Sequence, residues 1–362
     1  MGLKLKHIAV ICNYALLEDR VGGMDYFFWN FEKACTAKGI CVDWFFPNKA
    51  LHGGYKTFKI YSSESKTLEQ NFIDYLRENK VQYSHIITHF VELCTPFFLN
   101  IKKHQKAKLI AVDHNPRPLK GYPLKKRIKK RLKGFLYSMN IDLFVGVSNY
   151  THQAILHDFG MFLFNKTKTV YNGVLIDDII PKTDERRRVC PKFLVVSHLR
   201  YSKGIQDLIE AVALLPETLK KDLKIDVYGD GPYKTVLFEL VEKHLLTAVF
   251  NFKGSSSKLK QLYRHYDYLL QPTHMECFSL SILESLAANI PVITTPVGGN
   301  TEVVSNAENG FIFDAKNIKM LSKLLSLVIT GEKYIEGATR PLIANQFSID
   351  VMVDNHIKIL KY

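Results

Sequence analysis

Short apolar, β-branched segments alternate with amphipathic helical segments along the whole 362-residue chain, and this alternation constrains the fold most. Strands buried on both faces of a parallel sheet are continuously apolar, and parallel neighbours need a long crossover, usually a helix. The pattern therefore predicts α/β domains with doubly wound parallel sheets. We predict strands at residues 7–12, 40–46, 85–88, 109–112, 143–147, 193–197, 225–228, 268–271 and 291–294.

The length predicts two domains, because single hydrophobic cores stop growing beyond about 250–300 residues. Residues 175–192 interrupt the alternation with charged residues and prolines, so we place the domain junction there. The prediction is an N-terminal domain over residues 1–175, a linker over 176–191, a C-terminal domain over 192–340 and a final helix over 341–362 that is able to cross back. We expect function in the loops after the strands, because doubly wound sheets bind ligands at their carboxyl edges.

The composition excludes several other classes of protein. No apolar run reaches the roughly 18–20 residues of a membrane-spanning helix, and the first run, residues 8–17, has only ten. Acidic residues follow that run where a signal peptide would have its cleavage site. The six cysteines form no C-x-x-C pair, so we expect a cytoplasmic protein without disulfides or structural zinc.

Basic residues are concentrated in one segment of a chain whose net charge is +14. Between Asp113 and Asp142 there is no acidic residue, while nine residues are basic. Leucine or isoleucine recurs every fourth residue from Leu124 to Leu136, which predicts an amphipathic helix. Such a helix can lie on an anionic bilayer, bind nucleic acid, or pack its apolar stripe on its own domain with the cations in water.

Two strand-to-helix loops contain residues suited to binding an anion. Gly22 and Gly23 follow the first predicted strand and open a helix, where backbone N–H groups could meet a phosphate, although an ordinary tight turn has the same sequence. Arg200 and Lys203 follow the strand at 193–197 and precede another helix. Because the helix dipole disfavours cations at that end, we prefer a diphosphate ligand there to a solvated pair.

A third loop contains two glutamates at a spacing that suits a nucleotide. Leu280 and Leu283 keep helical spacing, so a helix should begin near Ser279, with Glu276 in the loop before it. Glu284 then lies roughly 7 Å along the helix axis. A diphosphate at the helix amides would place its ribose there, where a carboxylate can accept both hydroxyl hydrogens. By composition alone, either glutamate could equally be an ordinary exposed side chain.

The Glu276 to Glu284 spacing is the E-x7-E pattern, and the chain resembles family 4 of the retaining, nucleotide-sugar-dependent glycosyltransferases, which have the GT-B fold. Further segments resemble that family in the same order: Gly22-Gly23, Tyr171-Asn172-Gly173-Val174, residues 196–204, Tyr228-Gly229-Asp230-Gly231-Pro232, Phe252-Lys253-Gly254, residues 296–302 and residues 308–311. The resemblance spans most of the chain. It implies two Rossmann-like domains that face each other across a cleft.

The resemblance also implies roles for individual residues. Glu276, Lys203 and His114 are implied to be catalytic, and His89 is a weaker candidate than His114 for the histidine that faces the donor sugar. The implied donor-binding residues are Gly22, Gly23, Asn172, Arg200, Lys203, Gly231, Phe278, Ser279, Leu280 and Glu284.

The chain departs from the family pattern at two places. His198 stands where the family usually has arginine, and we expect Arg200 to supply the missing cation. The first glutamate is followed by Cys277-Phe278-Ser279-Leu280 where the family commonly has G-F-G-L. The backbone N–H groups survive that change, but the loop is expected to be stiffer or shaped for a different sugar.

The implied reaction moves a hexosyl group from a nucleoside diphosphate sugar, with UDP as the expected nucleotide, to an acceptor hydroxyl with retention of configuration. No D-x-D motif occurs, so we expect no metal and no cofactor besides the donor. The implied acceptor is lipid-linked or a polysaccharide, in bacterial cell-surface glycan synthesis such as that of lipopolysaccharide, at the inner face of the cytoplasmic membrane. The residues expected to dock on that anionic surface are Lys125, Lys126, Arg127, Lys129, Lys130, Arg131 and Lys133.

Three other functions stay open at this point. A nucleotide-sugar epimerase shares the fold architecture and would release a free epimerised sugar without any acceptor. A nucleic-acid-binding protein would explain the positive charge but would leave Glu276 and Glu284 without a purpose. A noncatalytic membrane scaffold would bind no nucleotide sugar.

Overall fold

The computed structural model describes residues 6–361, and these form two compact units. The first unit contains the described residues up to Gly173 together with those from Ile349 onwards, and the second is Val174–Ser348. Each unit is built around one parallel sheet. Residues 1–5 and 362, which belong to the predicted terminal segments, lie outside the described residues.

The first unit contains a seven-stranded sheet. Its strands are β1 (Lys6–Cys12), β2 (Ile40–Phe45), β3 (Lys59–Tyr61), β4 (His85–His89), β5 (Lys108–Asp113), β6 (Leu143–Gly146) and β7 (Thr167–Thr169). They lie in the order β3-β2-β1-β4-β5-β6-β7, and all neighbouring pairs are parallel. The central strands are almost completely buried, as expected for apolar segments covered on both faces.

Five helices cross between these strands. They are α1 (Gly23–Ala37), α2 (Leu68–Glu78), α3 (Pro96–His104), α4 (Leu124–Tyr137) and α5 (Asn149–Phe159). Helix α1 buries Phe27, Phe28 and Phe31, which recur at helical spacing. Helix α4 is the exception, because Gly134 is its one residue that is fully buried.

The second unit contains a six-stranded sheet and seven helices among its residues. The strands are β8 (Phe193–Val196), β9 (Ile225–Tyr228), β10 (Phe250–Gly254), β11 (Tyr268–Gln271), β12 (Val292–Thr294) and β13 (Gly310–Ile312), in the order β10-β9-β8-β11-β12-β13. The helices are α6 (Ile205–Ala213), α7 (Glu217–Lys220), α8 (Lys234–Lys243), α9 (Leu259–Leu262), α10 (Leu280–Ala287), α11 (Ile318–Ile329) and α12 (Arg340–Gln346). All neighbouring strands are again parallel.

Both sheets reverse their strand order once. In the first sheet the chain moves outward in one direction from β1 and in the other from β4, and in the second sheet it does so from β8 and β11. The connections at such a point diverge to opposite faces and leave a crevice at the carboxyl ends of the two strands. The predicted doubly wound α/β fold is therefore confirmed, and it places a crevice after β1 and β4 and another after β8 and β11.

All nine predicted strands are present, and their ends differ from the prediction by no more than one residue. Four further strands, β3, β7, β10 and β13, were not predicted from the sequence. These four are the edge strands of the two sheets. An edge strand is short and partly exposed, so it lacks the continuous apolar run that marks a central strand.

The predicted linker is wrong, because its residues belong to the second unit. The Arg186 guanidinium donates to the carbonyl oxygens of Ile335, Asn289 and Gly337, and the Lys182 amide donates to the Ala288 carbonyl. Hydrogen bonds from Lys182 and Arg186 therefore attach this segment to the rest of the second unit, although most of its other polar side chains are exposed. The second unit also extends beyond the predicted end at residue 340, to Ser348.

The chain ends in helix α13 (Ile349–Ile359), which belongs to the first unit and packs against α1. Its His356 is buried with its ring 4.5 Å from that of Phe27 and 5.9 Å from that of His89. His356 Nδ1 lies 2.8 Å from the Met352 carbonyl oxygen, so that nitrogen carries a proton. Burial lowers the pKa of His356 to about 4 and keeps the ring neutral at physiological pH.

We predict that the His356→Phe variant is less sensitive to acid than the wild-type protein. Below about pH 6.5 the unfolded histidine binds a proton that the folded one does not, so stability falls as the pH drops towards 4. Phenylalanine removes this contribution, which amounts to about 1.4 kcal/mol per pH unit. The slope of the unfolding free energy between pH 6 and 4.5, measured by urea denaturation, should decrease by that amount.

The exposed His104 provides the control, because His104→Phe should leave the slope unchanged. A wild-type slope in His356→Phe would contradict the assignment of a buried neutral ring.

Candidate active site

Lys203 and Glu276 come together at the carboxyl edge of the second sheet. Lys203 ends a short 3-10 turn after β8, and Glu276 lies in the loop after β11. Since β8 and β11 are paired neighbours, these loops are adjacent, and Lys203 Nζ lies 2.7 Å from Glu276 Oε2. Both side chains remain partly exposed, at 23% and 13%. Two predicted site residues that are distant in sequence thus form one charged pair open to solvent.

Gly204 lets these two loops approach each other closely. It has a φ of 71°, and a Cβ atom there would overlap the Pro272 carbonyl oxygen. Only glycine meets both the left-handed backbone and the close contact at no steric cost. Beyond it, the His274 amide donates to the Ser202 carbonyl at 2.8 Å. The loop that contains Lys203 is therefore attached to the loop that contains Glu276.

Helix α10 begins beside the charged pair. Ser279 is its N-cap, and the Ser279 hydroxyl accepts from the Ile282 amide and from the Gln271 side chain. Leu280 is the first helical residue, while Phe278 is buried next to Phe347. The helix therefore presents free amide groups at the sheet edge, where the dipole favours an anion.

Glu284 lies one turn further into α10 and is held by a buried phenol. Tyr263, which is fully buried, donates to Glu284 Oε2 at 3.0 Å. Burial raises the pKa of Glu284, while the hydrogen bond from Tyr263 and the charge of Lys260 lower it in part. The carboxylate is thus fixed in direction and positioned to accept hydrogen bonds from a ligand.

Other predicted residues surround this group. Arg200 is exposed, and its guanidinium contacts no carboxylate among residues 6–361. Gly231 lies against the backbone of Leu199 in the loop after β8, and its amide donates to Asp230. Both therefore belong to the same edge of the second sheet as Lys203.

Gly22 and Gly23 lie at the start of α1, at the carboxyl edge of the first sheet. The Gly22 amide donates to the buried carboxylate of Asp25, which also accepts hydrogen bonds from the hydroxyls of Tyr14 and Tyr55. This network fixes the glycine turn in place. It also shows why an acidic residue three positions after Gly22 is a useful capping signal.

His114 lies directly after β5 and is buried. Its Nε2 atom is 3.0 Å from His89 Nδ1, and its ring stacks on Phe90 at 4.2 Å. Burial lowers the pKa of His114 to about 3, so the ring is neutral at physiological pH. Asn172 follows β7 and is also buried, with an Oδ1 atom that has no hydrogen-bond partner among the described residues. Both remain predicted ligand contacts.

Helix α4 turns its apolar stripe towards solvent. Leu124, Ile128, Leu132, Phe135 and Leu136 are 54% to 76% exposed. The helix packs on α5 through its opposite side, and Gly134 permits close contact with the Phe159 backbone there. The interpretation in which the stripe packs on its own domain is therefore wrong.

The cations of α4 divide into two groups. Lys130 pairs with Asp158 at 3.0 Å, Lys133 pairs with Glu92 at 2.6 Å, and Arg131 donates to the His157 carbonyl. The other four predicted docking residues are exposed, and they are Lys125, Lys126, Arg127 and Lys129. Lys130 in particular is half-buried against its own unit and cannot be counted among the exposed cations.

A second exposed apolar group follows α5, in the 3-10 turn Met161–Lys166. Met161, Phe162 and Phe164 are each about 60% exposed. Because α4 packs on the end of α5, this turn and α4 adjoin the same helix terminus. We call α4 and this turn together the apolar-cationic surface. No helix within residues 6–361 has both the length and the apolar character needed to cross a membrane.

Several residues that support the site were not predicted from the sequence. Tyr263 and Asp207 precede the glutamate pattern in sequence, and His274 lies in the loop beside Glu276 without a predicted role. A phenol near Glu284 could not be found by spacing, because the chain passes through β11 between them. No group of three or more histidine, cysteine or acidic residues within the described part of the chain is arranged to hold a metal ion.

Comparison with known proteins finds a family match within the second unit. Residues 180–340 match the family model of glycosyl transferases group 1. The chain is 30% identical over 117 residues to N-acetyl-α-D-glucosaminyl L-malate synthase of Bacillus anthracis, a match that covers 32% of this chain and 30% of that protein. The curated relatives that the chain matches are covered over 26% to 56% of their own length.

Solved structures match nearly the whole chain. A glycosyltransferase of Rickettsia africae has a TM-score of 0.73 at 20% identity, with 99% of this chain and 98% of that chain covered. Anabaena HepE in complex with UDP-glucose has a TM-score of 0.74 at 17% identity, with 98% and 99% covered. At such identities the likeness establishes the fold, and the fold is GT-B.

We predict that Tyr263→Phe raises the pKa of Glu284 further, because it removes the one hydrogen bond that stabilises the charged carboxylate. The shape of the core is kept, so the unfolding free energy at pH 7 should fall by only about 1–2 kcal/mol. A carbon-13 NMR titration of the Glu284 carboxyl would measure the shift.

Tyr266→Phe is the matched control, since Tyr266 donates to a different carboxylate, that of Asp226 in β9. It should leave the titration of Glu284 unchanged. An unchanged titration in Tyr263→Phe would show that the phenol does not control this carboxylate.

Proposed function

We propose that this protein is a GT-B glycosyltransferase that moves a sugar from a nucleoside diphosphate sugar to an acceptor hydroxyl. The proposal rests on one arrangement: the Lys203–Glu276 pair beside the start of α10, with Glu284 in the second turn of that helix. These residues lie inside the segment that matches the glycosyltransferase family model. The E-x7-E pattern supports family 4 and retention of configuration as the finer assignment.

The chemistry of the transfer explains the cations at the site. As the bond between the anomeric carbon and the diphosphate breaks, negative charge develops on the leaving group. Lys203, Arg200 and the free amides of α10 stabilise that charge more in the transition state than in the ground state. We propose that no metal is needed, in line with the lack of a D-x-D motif.

The two glutamates have different proposed roles. Glu284 accepts hydrogen bonds from the ribose hydroxyls, which suits a carboxylate whose direction is fixed by Tyr263. Glu276 accepts hydrogen bonds from hydroxyls of the transferred sugar and does not attack the anomeric carbon. Structures with the same fold have been solved with UDP and UDP-glucose, and this supports UDP as the nucleotide.

The residues of the first unit are proposed to contact the donor sugar and the acceptor. Gly22 shapes the turn at the start of α1, since its own amide donates to Asp25, and Gly23 offers an amide there. Asn172 offers a buried oxygen without a partner among the described residues. His114 is neutral and is proposed to orient the sugar by a hydrogen bond, not by acid catalysis.

We predict that Glu276→Gln and Lys203→Met each abolish most of the transferase activity without unfolding the protein. Loss of one group that stabilises developing charge typically lowers kcat by about 10²–10³. Lys203→Met should also weaken UDP binding by about tenfold, because a charge-assisted hydrogen bond is lost. Turnover with a panel of nucleotide sugars and calorimetric titration with UDP would measure the two effects.

Glu239→Gln and Lys323→Met are matched controls at exposed positions of the second unit and should behave like the wild type. Wild-type turnover in the Glu276 and Lys203 variants would contradict the proposal. Release of an epimerised free sugar in the absence of any acceptor would replace it with an epimerase.

We further propose that the protein works at the inner face of a bacterial cytoplasmic membrane, on a lipid-linked or polysaccharide acceptor of a cell-surface glycan such as lipopolysaccharide. The support is the apolar-cationic surface, in which exposed apolar side chains lie next to Lys125, Lys126, Arg127 and Lys129. Exposed apolar groups gain free energy in a lipid interface, and cations gain it near anionic headgroups. Nucleic acid would contact only the cations and would leave the apolar side chains in water, so a bilayer is the better partner for this surface.

We predict that the protein sediments with vesicles containing anionic lipid and much less with vesicles of zwitterionic lipid. A triple variant, Ile128→Ser with Leu132→Ser and Phe135→Ser, should lose binding even at low salt, because it removes the apolar contact alone. A second variant with Lys125, Arg127 and Lys129 changed to serine should lose only the salt-sensitive part.

Serine at the exposed Lys319 and Lys323 of the second unit serves as the control and should leave sedimentation unchanged. Equal sedimentation of the apolar variant and the wild type would contradict membrane docking. Salt-sensitive binding to DNA or RNA that survives the apolar changes would favour a nucleic-acid partner.

A further inference from the structure

Two buried side chains behind the charged pair have no part in the proposed chemistry. His274 Nε2 lies 2.6 Å from Asp207 Oδ2, and both residues are buried. Asp207 lies in the first turn of α6, and His274 lies in the loop after β11. An ionised carboxylate can only accept hydrogen bonds, so His274 Nε2 carries the proton.

The pair links the same two loops that supply Lys203 and Glu276. Asp207 comes four positions after Lys203, and His274 comes two positions before Glu276. The His274 amide and the Thr273 hydroxyl both donate to the carbonyl oxygen of Ser202, at 2.8 and 3.2 Å. The side-chain contact and these two bonds therefore fasten one loop to the other directly behind the Lys203–Glu276 pair.

The link between the loops helps to fix the position of the Lys203 ammonium, which the lysine side chain cannot fix alone. A lysine has a long, flexible side chain, and an ammonium gives little directional control of its own. The position of Lys203 Nζ therefore depends on the backbone that carries it and on Glu276. In an enzyme, displacement of a charged group by about 1 Å can cost about a hundredfold in rate.

We propose that Asp207 and His274 are positioning residues, which hold the Lys203 ammonium and the Glu276 carboxylate at the separation the transfer requires. The inference rests on the proposed function, because it assigns these two residues to the same site. His274 Nε2 contacts Asp207 and its amide donates to the Ser202 carbonyl, so the role proposed for it is to act through the loops and not on the donor.

Three variants of the pair test the proposal. His274→Leu removes the side-chain contact but keeps the backbone bond to Ser202. His274→Gln places an amide N–H near the position of Nε2, and Asp207→Asn keeps an oxygen that can accept from the ring. We expect kcat to fall about 10- to 100-fold in His274→Leu. In His274→Gln and in Asp207→Asn we expect kcat to stay much closer to the wild-type value.

Binding of UDP separates positioning from direct contact. Because His274 does not touch the nucleotide in this proposal, the dissociation constant for UDP should change less than threefold in His274→Leu, while kcat falls. A loss of UDP affinity as large as the loss of kcat would overturn the proposal in favour of a direct ligand contact.

A merely structural role makes a different prediction. Ile209→Val, in the core of the same helix α6, is a control that lowers stability without touching either loop. If it lowers kcat as much as His274→Leu does at an equal loss of thermal stability, the positioning role is overturned. Failure of both conservative variants to restore kcat would overturn it as well.

Hydrogen exchange distinguishes this inference from the function on which it rests. Amides of residues 201–204 and 272–276 should exchange faster in His274→Leu than in the wild type and return towards the wild-type rate in His274→Gln. If the wild type transfers no sugar while this exchange pattern is seen, the proposed function fails and the link between the loops stands. Unchanged exchange in His274→Leu overturns the link itself, whatever the activity.

Discussion

Parallel pairing of β8 with β11 is the constraint on which the candidate site depends. The two strands are separated by three helix-containing crossovers in sequence but are neighbours in the sheet, because the strand order reverses between them. Their carboxyl ends must then open side by side, and the loops that leave them bring Lys203 to within 2.7 Å of Glu276. The close passage of Gly204 over Pro272 completes this approach. The strand order of the sheet thus brings the two loops of the site together, and the individual side chains then determine the contacts between them.

The sequence predicted the central strands well and the edge strands not at all, for a physical reason. A central strand is buried on both faces and must be apolar throughout, whereas β3 and β10 are partly exposed and carry lysine or asparagine. For the site, the residue spacing correctly placed Glu276 in the loop before α10 and Glu284 within that helix, because helical periodicity depends only on residues that are close in sequence. The phenol of Tyr263 and the Asp207–His274 contact depend on which segments the sheet brings together, and spacing does not contain that information.

Helix α4 illustrates what periodicity can and cannot determine. A repeat of four residues predicts that an apolar stripe exists, but it does not determine whether the stripe faces the core or the solvent. In this chain Gly134 and Lys130 occupy the side that contacts α5, and Asp158 provides a buried partner for the lysine. The apolar stripe is then left outside. That orientation depends on a carboxylate 28 positions away in sequence, so only the folded structure could reveal it.

The Lys203–Glu276 pair has a further consequence if the proposed function holds. In the free protein the Lys203 ammonium donates one of its three N–H groups to Glu276, so the other two are available to a diphosphate while the pair is kept. The hydroxyls of a donor sugar can donate to the lone pairs of Glu276 that the lysine does not occupy. A complete nucleotide sugar would therefore contact both members of the pair. After transfer the nucleotide keeps its contact with Lys203 but loses the sugar contacts to Glu276, which helps the product to leave.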